Sequence, residues 1–92
     1  MKLDPTRYKR HIFVCINERE DEESCGTKIG TQIYNKFRKH INNGLAYKYN
    51  VTKTLCLGHC LEGPTIAIYP DGSILKKVTL EDVDKIIEQF LQ

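Results

Sequence analysis

Four cysteines hold the residue types most able to do chemistry in this 92-residue chain: Cys15, Cys25, Cys56 and Cys60. The first two are spaced C-x9-C. The second two are spaced C-x3-C and open "CLGHCLEGP", residues 56–64, where Gly58, Gly63 and Pro64 punctuate a loop. Two thiols four residues apart in a glycine-rich loop are poor candidates for simple apolar filling, although Cys15 alone would fit that role.

Converging thiolates allow several chemistries. Structural zinc takes four thiolates in a tetrahedron, but such sites usually use C-x2-C knuckles, which this chain lacks. A thioredoxin-type redox dithiol also wants C-x2-C, at a helix start. Disulfides are rare in reducing compartments. A [2Fe–2S] centre takes four thiolates, two on each iron, and its sulfurs seek N–H donors that a loop containing Gly58 and Gly63 can bring close.

Whatever they hold, the cysteines must be brought together by the elements around them. "HIFVCI" (11–16) is a continuous apolar run of the kind found in a strand buried on both faces, and it carries Cys15 near its end. "NEREDEESCGTK" (17–28) has no periodicity and reads as an exposed acidic loop leading to Cys25. A helix is expected over about 28–42, with Ile29, Ile33, Phe37 and Ile41 on one face and Tyr34 beside them. Arg38, Lys39 and His40 suit its negative end, and Asn43-Gly44 suits its termination.

"LAYKYNVTKT" (45–54) alternates and predicts a second strand, followed by the cysteine loop. "TIAIY" (65–69) and "ILKKV" (74–78) read as a hairpin around "PDGS". Thr79 and Asp82 form a capping arrangement for a last helix striped with Leu80, Val83, Ile86, Ile87 and Phe90. The order β-α-β-β-β-α predicts an α/β fold: a small mixed sheet, thioredoxin-like in pattern, with helices packed on it. Parallel strands put the loops at their carboxyl ends on one edge, so all four thiols can converge there.

Composition narrows the function classes. The length fits one domain over residues 1–92. A formal charge of +2 gives no field that argues for nucleic acid or an anionic membrane as partner. No apolar run is long enough to span a bilayer, and "MKLDPTRYKRHIFVCI" lacks the form of a signal peptide. A reducing, cytoplasmic location is expected. There is no nucleophile–base pair, phosphate loop or recognisable carboxylate pair, so the chain is not expected to be an enzyme.

"HIFVC", "SCG", "CLGHCLEGP", "IYPDG" and "VTLEDVDKIIEQFL" together resemble the thioredoxin-like [2Fe–2S] ferredoxins, also called Shethna-type, over about residues 8–91. They are similar as well to the small iron–sulfur subunit of NADH dehydrogenase complexes. The resemblance implies a [2Fe–2S] cluster ligated by Cys15, Cys25, Cys56 and Cys60, the first pair on one iron and the second pair on the other. It implies one-electron transfer between redox partner proteins, a donor and an acceptor. A homodimer is compatible with it, although many relatives carry aromatic residues where this chain has Ile74 and Leu75 after the turn. The C-x9-C spacing lies at the short end for the family.

Two alternatives stand beside the free-standing carrier. One is a subunit or accessory of a larger oxidoreductase complex, though the chain lacks the extra N-terminal helical segment of such subunits. The other is a zinc-stabilised binding module. The acidic residues Glu18, Glu20, Asp21, Glu22 and Glu23 lie between two ligand positions, either as a docking patch for a basic partner or as a solvated loop. His59, between Cys56 and Cys60, either donates to a sulfur or is simply exposed; His11 and His40 carry no motif.

Overall fold

The computed structural model describes residues 1–4, 7–16, 27–54 and 64–91. Its elements are β1 (Arg10–Cys15), α1 (Thr27–Asn42), β2 (Tyr49–Thr54), β3 (Ile66–Tyr69), β4 (Ser73–Leu75) and α2 (Leu80–Phe90). The sheet order is β2-β1-β3-β4. β1 runs parallel to β2, antiparallel to β3, and β3 pairs antiparallel with β4. This is the expected mixed sheet with two helices.

Strand alternation sorts the side chains. Ile12 and Val14 of β1, Tyr49 and Val51 of β2, and Ile66 and Ile68 of β3 share one buried core with Ile33, Phe37 and Ile41 of α1 and Val83 and Ile86 of α2. Both helices therefore cover the same sheet face. Removing each of these large side chains from water contributes roughly 1.5–3 kcal/mol. The helices also meet directly: Lys36 Nζ donates to the Leu80 carbonyl at 2.8 Å and pairs with Asp84 at 3.1 Å.

The buried stripe of α1 differs from the expected one. Ile33, Phe37 and Ile41 are fully buried, but Ile29 is 40% exposed. Gly30 is the buried residue one turn before Ile33. Spacings of three and four residues put Gly30, Ile33, Phe37 and Ile41 on one face, and at its first position the helix lies too close to β1 for a side chain.

Residues 45–48 form a turn rather than the start of β2. The Leu45 carbonyl accepts from both Lys48 N and Tyr49 N at 3.0 Å, and Gly44, at φ +96°, directs the chain out of α1. β4 stops at Leu75, short of the expected Val78. Lys77 takes φ +54°, which breaks the ladder, and Val78 N turns to donate to the Pro64 carbonyl. The β3–β4 turn contains a cis Tyr69–Pro70 bond and Gly72 at φ +76°. α2 opens with the expected capping box, Asp82 N donating to Thr79 Oγ1 and Thr79 N donating to the Asp82 carboxylate.

Two arginines tie the periphery. Arg10 pairs with Asp71 at 2.9 Å and donates to the Phe90 carbonyl at 3.0 Å, joining the start of β1 to the β3–β4 turn and the end of α2. At the free side of β2, Arg38 Nη2 donates to the Val51 carbonyl at 2.5 Å and to Asn50 Oδ1 at 3.1 Å, while Asn50 Oδ1 accepts from Val51 N at 2.9 Å.

Candidate functional site

Cys15 is the last residue of β1 and is fully buried. Its position is held from both sides. Its N–H donates to the Thr65 carbonyl at 3.1 Å, and the next N–H, of Ile16, donates to the Thr54 carbonyl at 2.8 Å. In the parallel register Cys15 lies opposite Thr54, the end of β2. A third element closes on the same peptide: the position a Cβ would take on Gly30 lies 2.5 Å from the Cys15 carbonyl oxygen.

Four chain segments thus meet at Cys15. Thr54 stands two residues before Cys56, Thr27 at the start of α1 stands two residues after Cys25, and Pro64 stands four residues after Cys60. Two residues of extended chain reach about 7 Å and four about 14 Å. The described segments that meet at Cys15 are thus the ones that lead, within two to four residues of sequence, to the other three cysteines. This is the edge that parallel strand ends define, and it is where ligands collect in open α/β sheets. Cys25, Cys56 and Cys60 themselves, with His59 and the acidic run Glu18–Glu23, lie outside the described residues. Among the described residues no three His, Cys, Asp or Glu side chains form a metal-binding group.

The donor chemistry suits an iron–sulfur centre. A sequence whose four cysteines all stand on or near converging segments supplies four soft thiolates, the complement of a [2Fe–2S] core. Cys15 is fully buried, so water is kept from its thiol.

The sheet face away from the helices carries His11 and Phe13, on the same side of β1 as Cys15. The His11 and Phe13 rings stack at 4.3 Å, and Tyr8 and Tyr69 meet them edge-on at 5.7 and 5.9 Å. His11 Nε2 shares a hydrogen bond of 2.6 Å with Thr52 Oγ1. Burial, then the positive charge of Arg38, holds the His11 imidazole below its ordinary pKa. His11 carries no motif in the sequence; its stack with Phe13 lies within β1, where alternation puts residues 11 and 13 on one side, and β3 adds Tyr69. His40 Nε2 lies 3.4 Å from the Leu91 carbonyl, at the junction of the helices. Gly30 was also missed; a glycine in register with the apolar stripe of a helix is the signal that could have found it.

No family model matches the chain. Individual proteins do. It is 32% identical over 88 residues to a 2Fe-2S ferredoxin of Aquifex aeolicus (strain VF5), covering 90% of this chain and 79% of that protein. It is 32% identical over 88 residues to a 2Fe-2S ferredoxin of Clostridium pasteurianum, covering 91% of this chain and 86% of that one. The crystal structure of the wild-type thioredoxin-like [2Fe–2S] ferredoxin from Aquifex aeolicus superimposes with a TM-score of 0.81 at 31% identity, over 91% of this chain and 86% of that chain. Sequence and fold agree across nearly the whole length, and the chain belongs to the thioredoxin-like [2Fe–2S] ferredoxins.

Proposed function

We propose that this protein is a one-electron carrier that holds a [2Fe–2S] cluster through Cys15, Cys25, Cys56 and Cys60, with Cys15 and Cys25 on one iron and Cys56 and Cys60 on the other. The observation that carries the assignment is the meeting of four segments at Cys15: the ends of β1 and β2, the first turns of α1, and Pro64–Thr65. The cluster would supply reversible one-electron chemistry, within the roughly −700 to +450 mV such centres span. The chain's own part is to bind and shield. Two strand hydrogen bonds and α1 immobilise the Cys15 peptide, so the backbone that carries its thiol is fixed in advance. An all-cysteine donor set favours the lower part of the range, because histidine ligation raises the potential.

The whole chain works as one domain in this reading, with no substrate chemistry of its own. Its partners are a donor and an acceptor protein, not nucleic acid or membrane. Among the described residues no helix is long and apolar enough to cross a bilayer. A reducing cytoplasm suits ligands that must remain thiolates.

The test is anaerobic purification followed by metal analysis, visible absorption, and EPR after dithionite reduction. About two irons per chain and a paramagnetic signal on reduction are expected, as for a [2Fe–2S] centre. Replacing any one of the four cysteines by alanine should lower iron content and change that signal. A colourless protein with zinc in place of iron, even after anaerobic reconstitution, would make the chain a zinc-stabilised module and overturn the proposal.

A further inference from the structure

We propose that Gly30 is a positioning residue for the iron–sulfur centre: its missing side chain lets α1 seat on the Cys15 peptide and so sets the separation between Cys15 and the chain that carries Cys25. This rests on the ligand assignment above.

The geometry is specific. A Cβ at Gly30 would lie 2.5 Å from the Cys15 carbonyl oxygen and 3.2 Å from both Cα and Cγ2 of Ile16, where ordinary contact begins at 3.4 Å. The two backbone atoms cannot rotate away. Nor can the β1 end retreat, because the Thr65 and Thr54 carbonyls hold Cys15 N and Ile16 N from the neighbouring strands' sides. A side chain at position 30 must therefore displace α1. The helix begins at Thr27, only two residues after Cys25, so displacement of α1 acts on the short stretch of chain that leads to Cys25.

Conformation does not explain this glycine. It lies within α1, and the described glycines at positive φ are Gly44 and Gly72. Helix propensity opposes it, since alanine is preferred in a helix interior. Close approach to the Cys15 carbonyl is what remains.

The experiment compares wild type, Gly30→Ala and Gln32→Ala, an exposed position on the same helix. Each chain is reconstituted with iron and sulfide without oxygen. Iron per chain, the EPR spectrum and the reduction potential are measured, with far-UV circular dichroism to check the fold. Gln32→Ala should match wild type. Gly30→Ala should stay folded yet show shifted g-values or broadened lines and an iron content lowered by at least twofold. A second pair of chains carries one extra glycine after Gly26, which gives slack between Cys25 and the helix. With that slack in place, Gly30→Ala should no longer alter spectrum or iron content. A folded Gly30→Ala chain with the wild-type spectrum, potential and iron content overturns the proposal, as does a change that the slack does not relieve. Should Gly30→Ala fail to fold, the glycine insertion alone carries the test: a broadened signal is expected, and a wild-type signal overturns it. A wild-type chain that takes up no cluster overturns the functional assignment and this proposal with it, whereas a loaded wild type beside an unaltered Gly30→Ala overturns only the latter.

Discussion

Ile33→Val and Ile29→Val form a matched pair on one helix. Each removes a single methylene from an isoleucine of α1, and the helix propensities of isoleucine and valine are nearly equal, so that contribution cancels. Ile33 is fully buried in the core, while Ile29 is 40% exposed. Losing a buried methylene costs about 0.8 kcal/mol of transfer free energy, plus a cavity contribution, giving about 0.5–1.5 kcal/mol for a buried Ile→Val change. In a domain of this size that lowers Tm by roughly 2–12 °C. At Ile29 the expected change stays within about 0.5 kcal/mol, the range of surface substitutions. Urea unfolding of the two variants and wild type, at matched cluster content and followed by far-UV circular dichroism, gives the comparison directly. Equal losses at the two positions would mean that Ile29, not Gly30, lies on the buried stripe, and would refute the account of how α1 seats on β1.

Thr79→Ala removes the oxygen that accepts from Asp82 N, and should cost about 1 kcal/mol, read in the same unfolding assay. His11 has a folded pKa below its unfolded value, so folding favours its neutral form. Its contribution is intact above the unfolded value near 6.5 and is lost as pH falls toward the folded one. His11→Gln should flatten the stability decline below pH of about 6.5, and an NMR titration of the His11 ring checks the shift itself. The Asp71 carboxyl, held down chiefly by its hydrogen bond from Arg10, contributes above the usual carboxylate range and loses that contribution as pH falls through its depressed value. Asp71→Asn should therefore weaken the acid sensitivity of unfolding, and the effect should shrink in high salt.

Elements with a strong local signal were legible in the sequence. β1 was read from its unbroken apolar run, and α2 from a capping pair and a stripe of five apolar residues. The parallel β1–β2 pair followed from the helix between them, and with it the gathering of strand ends at Cys15. What failed to show were features decided by a partner distant in sequence. The pattern over 45–48 alternates like a strand, yet the Leu45 carbonyl captures two N–H groups and turns the chain. Ile29 has the right spacing for the core, but a one-residue offset gives its place to Gly30, because the Cys15 carbonyl leaves room there for nothing larger than hydrogen. The four cysteines proposed as ligands stand out by spacing and setting, while the immobilisation of the Cys15 peptide by Thr65, Thr54 and α1 depends on pairings that no local pattern encodes.

The Arg38–Asn50–Val51 contacts bear on how the protein behaves at high concentration. An edge strand with free N–H and C=O groups is a template on which other chains can add strands and aggregate. On β2 the outward groups of Val51 are already occupied, the N–H by Asn50 and the C=O by Arg38, and the charged side chain of Lys53 follows two residues on. At the opposite edge, β4 is only three residues long. Among the described residues, neither border of the sheet presents a long unbroken row of unpaired backbone groups on which a neighbouring strand could build.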